Sequence, residues 1–537
     1  RGLAFFFTRM LDLGLSDVFP DVEFVVPRSV VIGTDVFEEF VEDNELGKFA
    51  HEDHSNEEVN QAFLEAEFTD DIVGEISVML QQTKWPLAIR SSSLLEDSSH
   101  QPFAGVYATY MLANDHPDLD VRLRRLLEAI KLVYASTYHR GAKAYVAATP
   151  STIEDERMAV VIQDLVGDEV NGRFYPMISG AARSRNHYPV EPLVAEDGIA
   201  AICIGLGRQV SAGGKCLRYS PGQPRRIHQF HSNQAILDTS QRSFFAIPME
   251  QEDGAVHPTE EGNLLNLGLA EAEEDGCLAL VGSTYVVSDD RIVDSVAVDG
   301  GPRVVTFAPV LKHGRFPLSK ILGHVLNTCQ NYIGSPVELE FAMSIDQDSG
   351  TQRFAILQVR PMMEESVDID IDLAEIDRSK AMCICSQSLG NGVIEGIKDV
   401  VYVHPERLDR MRTRDLPDKI EAIDAALRAE ERPYVLIGPG RWGSSDPSLG
   451  IPVQWDQIMG SRTIVEVPMT DIHVEPSQGT HFFQNIITFN IGYLTIGAND
   501  FVDWEWLDSI EASTESGALR HVSLNEPMKV ILDSRDS

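Results

Sequence analysis

The sequence has few positive charges. Among its 537 residues, 44 are lysine or arginine and 83 are aspartate or glutamate, which gives a formal net charge of −39, and by count only 11 of the basic residues are lysine. Nucleic-acid binding needs clustered cations that neutralise phosphates. The composition therefore excludes nucleic acid as a general partner. A polyanionic ligand would have to be held by a few local cations and by backbone amides.

Cysteine and long apolar runs are scarce as well. No apolar run approaches the roughly 18 residues that a membrane helix needs, and no charged-then-apolar leader precedes the fold. These absences exclude a membrane partner and predict a cytoplasmic protein. The spacing of the cysteines matches no zinc or redox motif, so we expect reduced, packed thiols. The six cysteines are Cys203, Cys216, Cys277, Cys329, Cys383 and Cys385.

The remaining composition is that of a globular protein, with 43% hydrophobic and 24% charged residues, and the length suggests three or four compact units. The stretch TDVFEEFVEDN predicts an amphipathic helix that begins at Thr34. Leucines from Leu119 to Leu127 share a face with Ile130 and Tyr134, which predicts a core-facing helix. The run MAVVIQDLV, 158–166, predicts a buried strand. This mixture predicts an α/β fold class.

A cluster of polar residues follows an apolar run in PLAIRSSSLLEDSSHQPFAGVYATY, residues 86–110. Arg90 ends the apolar run, a serine loop at 91–93 follows it, and Gly105 closes a Phe-Ala-Gly sequence. A rigid cation, hydroxyl donors and a glycine that admits close backbone approach suit an anion site. The alternative is that Arg90 forms a surface ion pair with the Glu-Asp pair at 96–97.

A second polar pattern lies on two predicted strands, SPVELEFAMSID and TQRFAILQVRPM, which QDSG joins as a hairpin turn. Because strand side chains alternate between faces, Glu338 and Glu340 project from one face, and Gln358 and Arg360 also share a face. The alternative is a solvated strand face.

These stretches, in this order, resemble the nucleotide-binding domain of the pyruvate phosphate dikinase and phosphoenolpyruvate synthase family. EAIKLVYASTYHRGAKAY is similar to the helix that follows in the family, GLGRQVSAG to its Gly-Leu-Gly segment, and LQVRPM to its closing strand. The resemblance implies an ATP-grasp domain over residues 1–363, with lobes at about 1–155 and 156–363. A linker over 364–380 and a smaller α/β domain over 381–537 would follow.

The resemblance also implies ATP and Mg²⁺ as ligands. Arg90 and Arg360 resemble phosphate-binding arginines that act in catalysis by neutralising charge, and Gln163 lies on the strand next to the adenine. Ser91, Ser92 and Gly105 complete the phosphate loop.

The magnesium contacts implied by the family are Glu340 and Glu338, with Gln358 beside them. Mg²⁺ is usually held by one or two carboxylates together with phosphate oxygens. All four residues on the two strands, Arg360 included, would therefore contact the bound nucleotide or its metal.

The sequence departs from the family at two places. The family begins with Gly-Gly-Lys, whose lysine contacts phosphate, whereas this chain opens at RGLAFFF, where that motif should have ended. We interpret the start at Arg1 as a trimmed or processed terminus. In addition, Arg208 follows Gly-Leu-Gly where the family has a glutamate. These departures lead us to expect that ATP binding survives with impaired turnover.

The C-terminal region is too short for the substrate barrel of roughly 250 residues that full dikinases carry. The stretches SQSLGNGVIEGIKDVVYV and GTHFF resemble, weakly, parts of the swivelling phosphohistidine domain, in which case His481 is the catalytic phosphocarrier. The alternative is a structural histidine at a strand-to-helix turn. GPGRWGSSDPSLG, 438–450, is a glycine-rich loop that could cradle an anion but is no Walker motif. His473 and Glu475 are too sparse for a metal site.

The sequence thus predicts a dikinase-like phosphotransferase that moves a phosphoryl or pyrophosphoryl group from Mg·ATP to an unidentified acceptor, a small molecule or a protein. One alternative is a regulatory module that senses nucleotide without turning it over. Another is a small-molecule kinase of the antibiotic-modifying type, whose mark would be an apolar acceptor cavity beside His481.

Overall fold

The computed structural model describes residues 14–47, 52, 54–93, 96, 105–147, 156–249, 254–346, 349–362, 378–469, 474, 476–477, 480–497 and 499–533. The opening segment, Asp97, most of the predicted linker, His473 and Glu475 lie outside these residues. The described residues form helices and several sheets, which confirms the α/β fold class. No helix in the described ranges is both long and apolar enough to cross a membrane.

The first part of the chain builds a helical layer on a small antiparallel sheet. Its strands lie in the order β2-β5-β3-β4. Its elements are α1 (Leu15–Val18), β1 (Val22–Val25), β2 (Ser29–Ile32), α2 (Thr34–Asp43), α3 (Asn56–Glu65), α4 (Asp70–Gln81), β3 (Leu87–Ser93), β4 (Thr109–Leu112), α5 (Leu119–Ser136), α6 (Arg140–Ala147) and β5 (Met158–Asp164).

The apolar patterns of the sequence account for this part. Helix α2 begins at Thr34 as predicted and buries Phe37 and Phe40. Helix α5 buries Ile130 and Tyr134 in the same core, where Tyr134 packs 4.9 Å from Phe37, centroid to centroid. Hydrophobic burial along one helix face therefore fixes the layer that supports β3.

The second part is built around a larger sheet in the order β1-β17-β16-β8-β9-β10. The hairpin predicted from the two polar-patterned strands is present, with β16 antiparallel to β17. The elements are β6 (Asp168–Val170), β7 (Arg173–Tyr175), β8 (Ile178–Arg183), β9 (Ile199–Cys203), α7 (Arg208–Ser211), β10 (Leu217–Tyr219), α8 (Asn233–Thr239), β11 (Ser243–Pro248), β12 (Leu265–Gly268), α9 (Leu269–Glu274), α10 (Leu278–Val281), β13 (Gly282–Val286), β14 (Arg291–Val293), β15 (Arg303–Val305), α11 (Ala308–Leu311), α12 (Leu318–Ile333), β16 (Val337–Ile345) and β17 (Gln352–Pro361).

Two strands cross the lobe boundary expected near residue 155. Strand β5 follows that boundary in sequence but pairs with β2 and β3 of the first part. Strand β1 lies near the start of the chain but pairs with β17. The two sheets therefore exchange strands, because register and burial in each sheet, rather than position in the chain, decide where an apolar run is placed.

The third part is a seven-stranded sheet in the order β19-β25-β24-β21-β20-β28-β27. Its central strands from β25 to β20 run parallel. The elements are β18 (Cys383–Ile384), β19 (Gln387–Leu389), β20 (Gly392–Val403), α13 (Pro417–Ala429), β21 (Tyr434–Pro439), β22 (Arg441–Trp442), β23 (Gly450–Ile451), β24 (Ser461–Val467), α14 (His481–Thr488), β25 (Gly492–Thr495), β26 (Phe501–Val502), α15 (Trp504–Ser509), β27 (Ala512–Ser516) and β28 (Leu519–Leu532).

Both faces of this third sheet are covered. Val401 and Leu436 belong to a core on one face, and Val400 and Val435 to a core on the other. Continuous apolar runs such as VVYV and YVLI are what a parallel sheet buried on both faces requires. Short 3₁₀ turns complete the described structure, at Ala195–Asp197, His228–Phe230, Glu261–Asn263, Val287–Asp289, Arg378–Lys380, Pro405–Arg407, Arg410–Asp415 and Trp455–Gln457.

Candidate functional site

One cavity of about 1420 Å³ is lined by residues from all three parts of the chain. Its walls come from β3 and β5, from β8, β16 and β17, and from α14 with the loops that precede it. All ten site residues predicted from the sequence line this one cavity, namely Arg90, Ser91, Ser92, Gly105, Gln163, Glu338, Glu340, Gln358, Arg360 and His481.

The first wall runs along β3. Ala88 pairs with Gln163 of β5, and Arg90 follows two residues later on the same face, about 7 Å along the strand. Gln163 is buried and donates to the hydroxyl of Ser29 at 3.2 Å. Ser91 and Ser92 lie within β3 rather than in a loop as predicted, because both pair with β5. Their positions are therefore fixed by the sheet.

The second wall holds Arg90 from the opposite side. The Arg90 guanidinium donates to Glu340 Oε2 at 3.2 Å and to Gln358 Oε1 at 3.3 Å. Glu340 and Gln358 are cross-strand partners in the β16–β17 hairpin, which places their side chains together. Arg90 and Glu340 are each about one quarter exposed, so this ion pair is accessible to a ligand in the cavity.

Glu338 occupies a drier position on the same face of β16. Arg183 of β8 and Arg360 of β17 lie opposite it in the sheet and both donate to its carboxylate. Gln484 of α14 donates a further hydrogen bond at 2.7 Å. Although burial alone would raise the pKa of this carboxyl, the two guanidinium groups hold the pKa of Glu338 well below its usual range. Both carboxylate oxygens are thus already engaged by protein donors.

His481 is the first residue of α14 and lies against Gly105 in the first part of the chain. The helix is capped by Thr480, whose hydroxyl accepts from the Phe483 amide at 3.1 Å. A Cβ added to Gly105 would lie 2.6 Å from Cγ and 2.8 Å from Cβ of His481, so only glycine fits there. Burial lowers the pKa of His481 to about 4, while Glu340 opposes that shift. The imidazole is therefore neutral at neutral pH.

The glycine-rich loop at 438–450 contributes to docking of the third part. Arg441 and Trp442 of this loop are buried. The next residues contact the second part, where the Ser444 hydroxyl donates to Gly213 O at 2.8 Å and the Ser445 amide donates to Ala212 O at 2.9 Å. The loop thus joins the third part to the segment after Gly-Leu-Gly.

Arg183 and Gln484 also line the cavity but were not predicted as site residues from the sequence. Arg183 is the last residue of β8, whose sequence, ISGAAR, is otherwise rich in small residues. A long cationic side chain after small residues is the sequence feature that could have indicated a place in the cavity. Gln484 is three residues after His481, on the same face of the helix. Arg208, expected only as a departure from the family pattern, also lines the cavity, where it forms ion pairs with Glu260 and Glu261.

No cluster of three or more histidine, cysteine, aspartate or glutamate side chains that could hold a metal occurs within the described ranges. The carboxylates of β16 are instead paired with arginines. A divalent ion here would need further oxygen ligands from a bound phosphate, which is the usual arrangement for Mg²⁺ with nucleotides.

Comparison with known proteins identifies the nucleotide-binding part. The family model for the AMP/ATP-binding domain of pyruvate phosphate dikinase matches residues 12–380, which confirms the resemblance found in the sequence. The chain is also similar to the "Uncharacterized phosphotransferase YvkC" of Bacillus subtilis (strain 168). The two are 22% identical over 359 residues, which are 66% of this chain and 33% of that protein. The chain thus spans about a third of the length of this relative.

Proposed function

Because this chain belongs to the family of the pyruvate phosphate dikinase AMP/ATP-binding domain, we propose that it is a phosphotransferase that binds Mg·ATP in the shared cavity and passes a phosphoryl group to His481. The observation that carries the proposal is the packing of His481 against Gly105 inside that cavity. The first and third parts of the chain thereby meet beside Arg90 and Glu340.

The nucleotide lies along β3 with its base at the Gln163 end. Apolar side chains near that end, Met111, Leu165 and Leu264, belong to one cluster and line the cavity, as a purine ring requires. From there β3 leads to Arg90. The triphosphate then extends past Arg90 and Arg360 toward α14. Binding of the nucleotide between the two sheets would match the ATP-grasp arrangement that the resemblance implies.

Arg90 changes partners when phosphate enters. Its guanidinium donates to Glu340 and Gln358, and charge-assisted hydrogen bonds to phosphate oxygens would replace these contacts when ATP binds. The oxygens of Glu340 and Gln358 would then be free to hold Mg²⁺, which would neutralise part of the phosphate charge. Glu338 has a different role from the metal contact predicted for it: its oxygens hold Arg183 and Arg360, so it orients the second arginine.

His481 acts as the nucleophile. A ring nitrogen of the neutral imidazole attacks the phosphorus, the bond from that phosphorus to the bridging oxygen breaks, and the nucleotide leaves with the bond electrons. The proton on the other ring nitrogen passes to the departing nucleotide or to solvent, which leaves a neutral phosphohistidine. Arg90 and Arg360 neutralise the charge that develops on the transferred group. Since the lowered pKa keeps His481 unprotonated at neutral pH, no separate base is needed to activate it. Phosphoryl and pyrophosphoryl transfer differ in which phosphorus is attacked.

Labelled ATP tests the proposal. Wild-type protein incubated with ATP labelled at the β or γ phosphate should acquire an acid-labile, base-stable label, and the position of the label distinguishes the two reactions. His481→Gln should acquire none, whereas His313→Gln, which alters an exposed histidine paired with Asp294, should label as the wild type does. Absence of label from wild-type protein that demonstrably binds ATP would refute phosphoryl transfer and favour the nucleotide-sensing alternative.

A further inference from the structure

The cavity continues beyond His481 along one face of α14. Its lining includes His481, Gln484, Asn485 and Thr488, whose spacing of three and four residues puts them on one side of a helix. At 1.5 Å per residue, this face extends about 10 Å from the histidine. It ends at α6, where Tyr145 hydrogen-bonds Thr488. The cavity therefore has a region beside α14 that the nucleotide does not need.

The volume of the cavity supports a division into a nucleotide region and a second region beside α14. The cavity of about 1420 Å³ exceeds the roughly 300–1,000 Å³ of a typical single-ligand pocket. The purine has its own apolar lining around Met111 and Leu165. The region beside α14 can therefore hold a second molecule while the nucleotide is bound.

The walls of this region are aromatic and held in place by one another. Trp455 stacks on Phe489 with centroids 5.3 Å apart and meets Phe482 edge-on at 5.7 Å. Tyr145 packs 4.4 Å from Phe489, centroid to centroid. Tyr145, Trp455 and Phe482 line the cavity. Such a rigid set of rings favours an apolar or aromatic ligand body.

The same region holds two acceptors and one donor without partners, because the Trp455 Nε1–H is also buried with no hydrogen-bond partner in the described part of the chain. The side-chain N–H of Gln484 donates to Glu338 Oε1, which fixes the orientation of the Gln484 amide. The Oε1 atom of Gln484 is buried without a hydrogen-bond partner in the described part of the chain. Asn485 Oδ1 is also buried and has no hydrogen-bond partner within the described ranges. Asp456 lies in the lining as well. Buried acceptors without partners are costly, and a ligand with hydroxyl or amino donors would satisfy them.

We infer that this region, the α14 chamber lined by Tyr145, Val453, Trp455, Phe482, Gln484 and Asn485, binds the phosphoryl acceptor: a small molecule with an aromatic or apolar body and hydroxyl or amino donors. The inference rests on the proposed function, since it supplies the acceptor for phosphorylated His481. An acceptor hydroxyl oxygen forms the new bond to phosphorus, and the bond from phosphorus to the His481 nitrogen breaks. The hydroxyl proton passes to the imidazole nitrogen, which restores neutral His481.

The charge of a molecule decides whether it can serve as the phosphoryl acceptor in this chamber. Asp456 and the two amide oxygens repel a carboxylate and attract a donor or a cation. An acidic acceptor is therefore disfavoured at the chamber.

A fragment panel tests the α14 chamber without ATP. The probes are aromatic alcohols and amines, tyramine among them, each paired with a matching carboxylate such as 4-hydroxyphenylacetate, and binding is measured by saturation-transfer NMR and calorimetry. In each pair, the member without a carboxylate should bind at least about ten-fold more tightly than its carboxylate partner. Trp455→Ala should weaken this binding about ten-fold or more, whereas Trp506→Ala, which removes a tryptophan that is 40% exposed and outside the cavity lining, should leave it unchanged.

The outcomes separate this inference from the proposed function. If no alcohol or amine binds in a way that depends on Trp455, or if the carboxylates bind equally well, the assignment of the α14 chamber as an acceptor site is wrong. This holds even when His481 is labelled normally. Asn485→Leu, which removes an acceptor and preserves size, gives a second variant in case Trp455→Ala unfolds, and it should also weaken binding. Trp455-dependent binding in a protein that never labels on His481 supports the chamber and overturns the phosphohistidine step.

Discussion

Replacing Gly105 with alanine separates nucleotide binding from phosphoryl transfer. The added Cβ would lie 2.6 Å from His481 Cγ, whereas ordinary van der Waals contact begins at 3.4 Å. The imidazole ring must therefore retreat by about 1 Å, and a displacement of that size at a reacting group can reduce a rate by about 100-fold. Arg90 and Glu340 keep their contacts with each other, so ATP affinity should change little.

The backbone contributes a second, separable cost. Gly105 has φ +67°, in the left-handed region, where an L-residue costs about 1–2 kcal/mol. Gly172 is the matched control, because it has φ +72° and no atom lies within 4 Å of the position of an added Cβ. Gly172→Ala therefore carries the same backbone cost without displacing His481.

The assay measures both steps on the same preparations. Calorimetry gives ATP affinity, and the rate of acid-labile labelling gives transfer. Gly105→Ala should label about 100-fold more slowly than wild type at saturating ATP, and Gly172→Ala should label at the wild-type rate after a similar loss of thermal stability. Normal labelling of Gly105→Ala would refute the reasoning, because His481 could not then need its position against Gly105.

Further predictions concern the walls of the cavity and the histidine. Arg90→Ala should weaken ATP binding about ten- to hundred-fold by calorimetry, since a charge-assisted contact contributes about 1.5–3 kcal/mol, and unchanged affinity would contradict the assigned site. Glu338→Gln should lower the thermal midpoint, because it leaves the buried Arg183 guanidinium and the partly exposed Arg360 guanidinium without their counter-charge, at a cost of about 3–5 kcal/mol for the buried pair. Glu340→Gln, at a more exposed pair, should leave the midpoint nearly unchanged and alter the Mg²⁺ dependence of labelling. The labelling rate should show no His481 titration between pH 8 and 5.5, because the pKa of His481 is lowered to about 4, whereas an unshifted histidine with a pKa near 6.5 would lose about ten-fold in its neutral fraction.

The sequence was most informative where the pattern is local. Alternation on β16 placed Glu338 and Glu340 on one face, and helical spacing identified the core side of α5. The different surroundings of the two glutamates could not be predicted in this way. Arg183 meets Glu338 because β8 is the neighbour of β16 in the sheet, and sheet order depends on packing over the whole lobe.

Long-range contacts account for the other differences. His481 lies against Gly105 only because α14 docks on the first part of the chain, a contact that no local propensity encodes. The sequence predicts a loop of hydroxyl donors after Arg90, and serine is indeed common in turns, yet pairing with β5 continues the strand through Ser93. Tertiary hydrogen bonding outweighed the local preference there.

The central claim is that His481 receives a phosphoryl group from ATP bound between Arg90 and Arg360, and mass spectrometry of the intact reaction tests it most directly. Protein incubated with Mg·ATP, quenched at alkaline pH to preserve phosphohistidine and digested, is mapped by tandem fragmentation. The account predicts a phosphorylated ring on the peptide that contains His481, absent from His481→Gln and strongly reduced in Arg90→Ala at limiting ATP. A phosphorylated residue elsewhere in the chain, or an unmodified His481 peptide under conditions where calorimetry shows bound ATP, would contradict it.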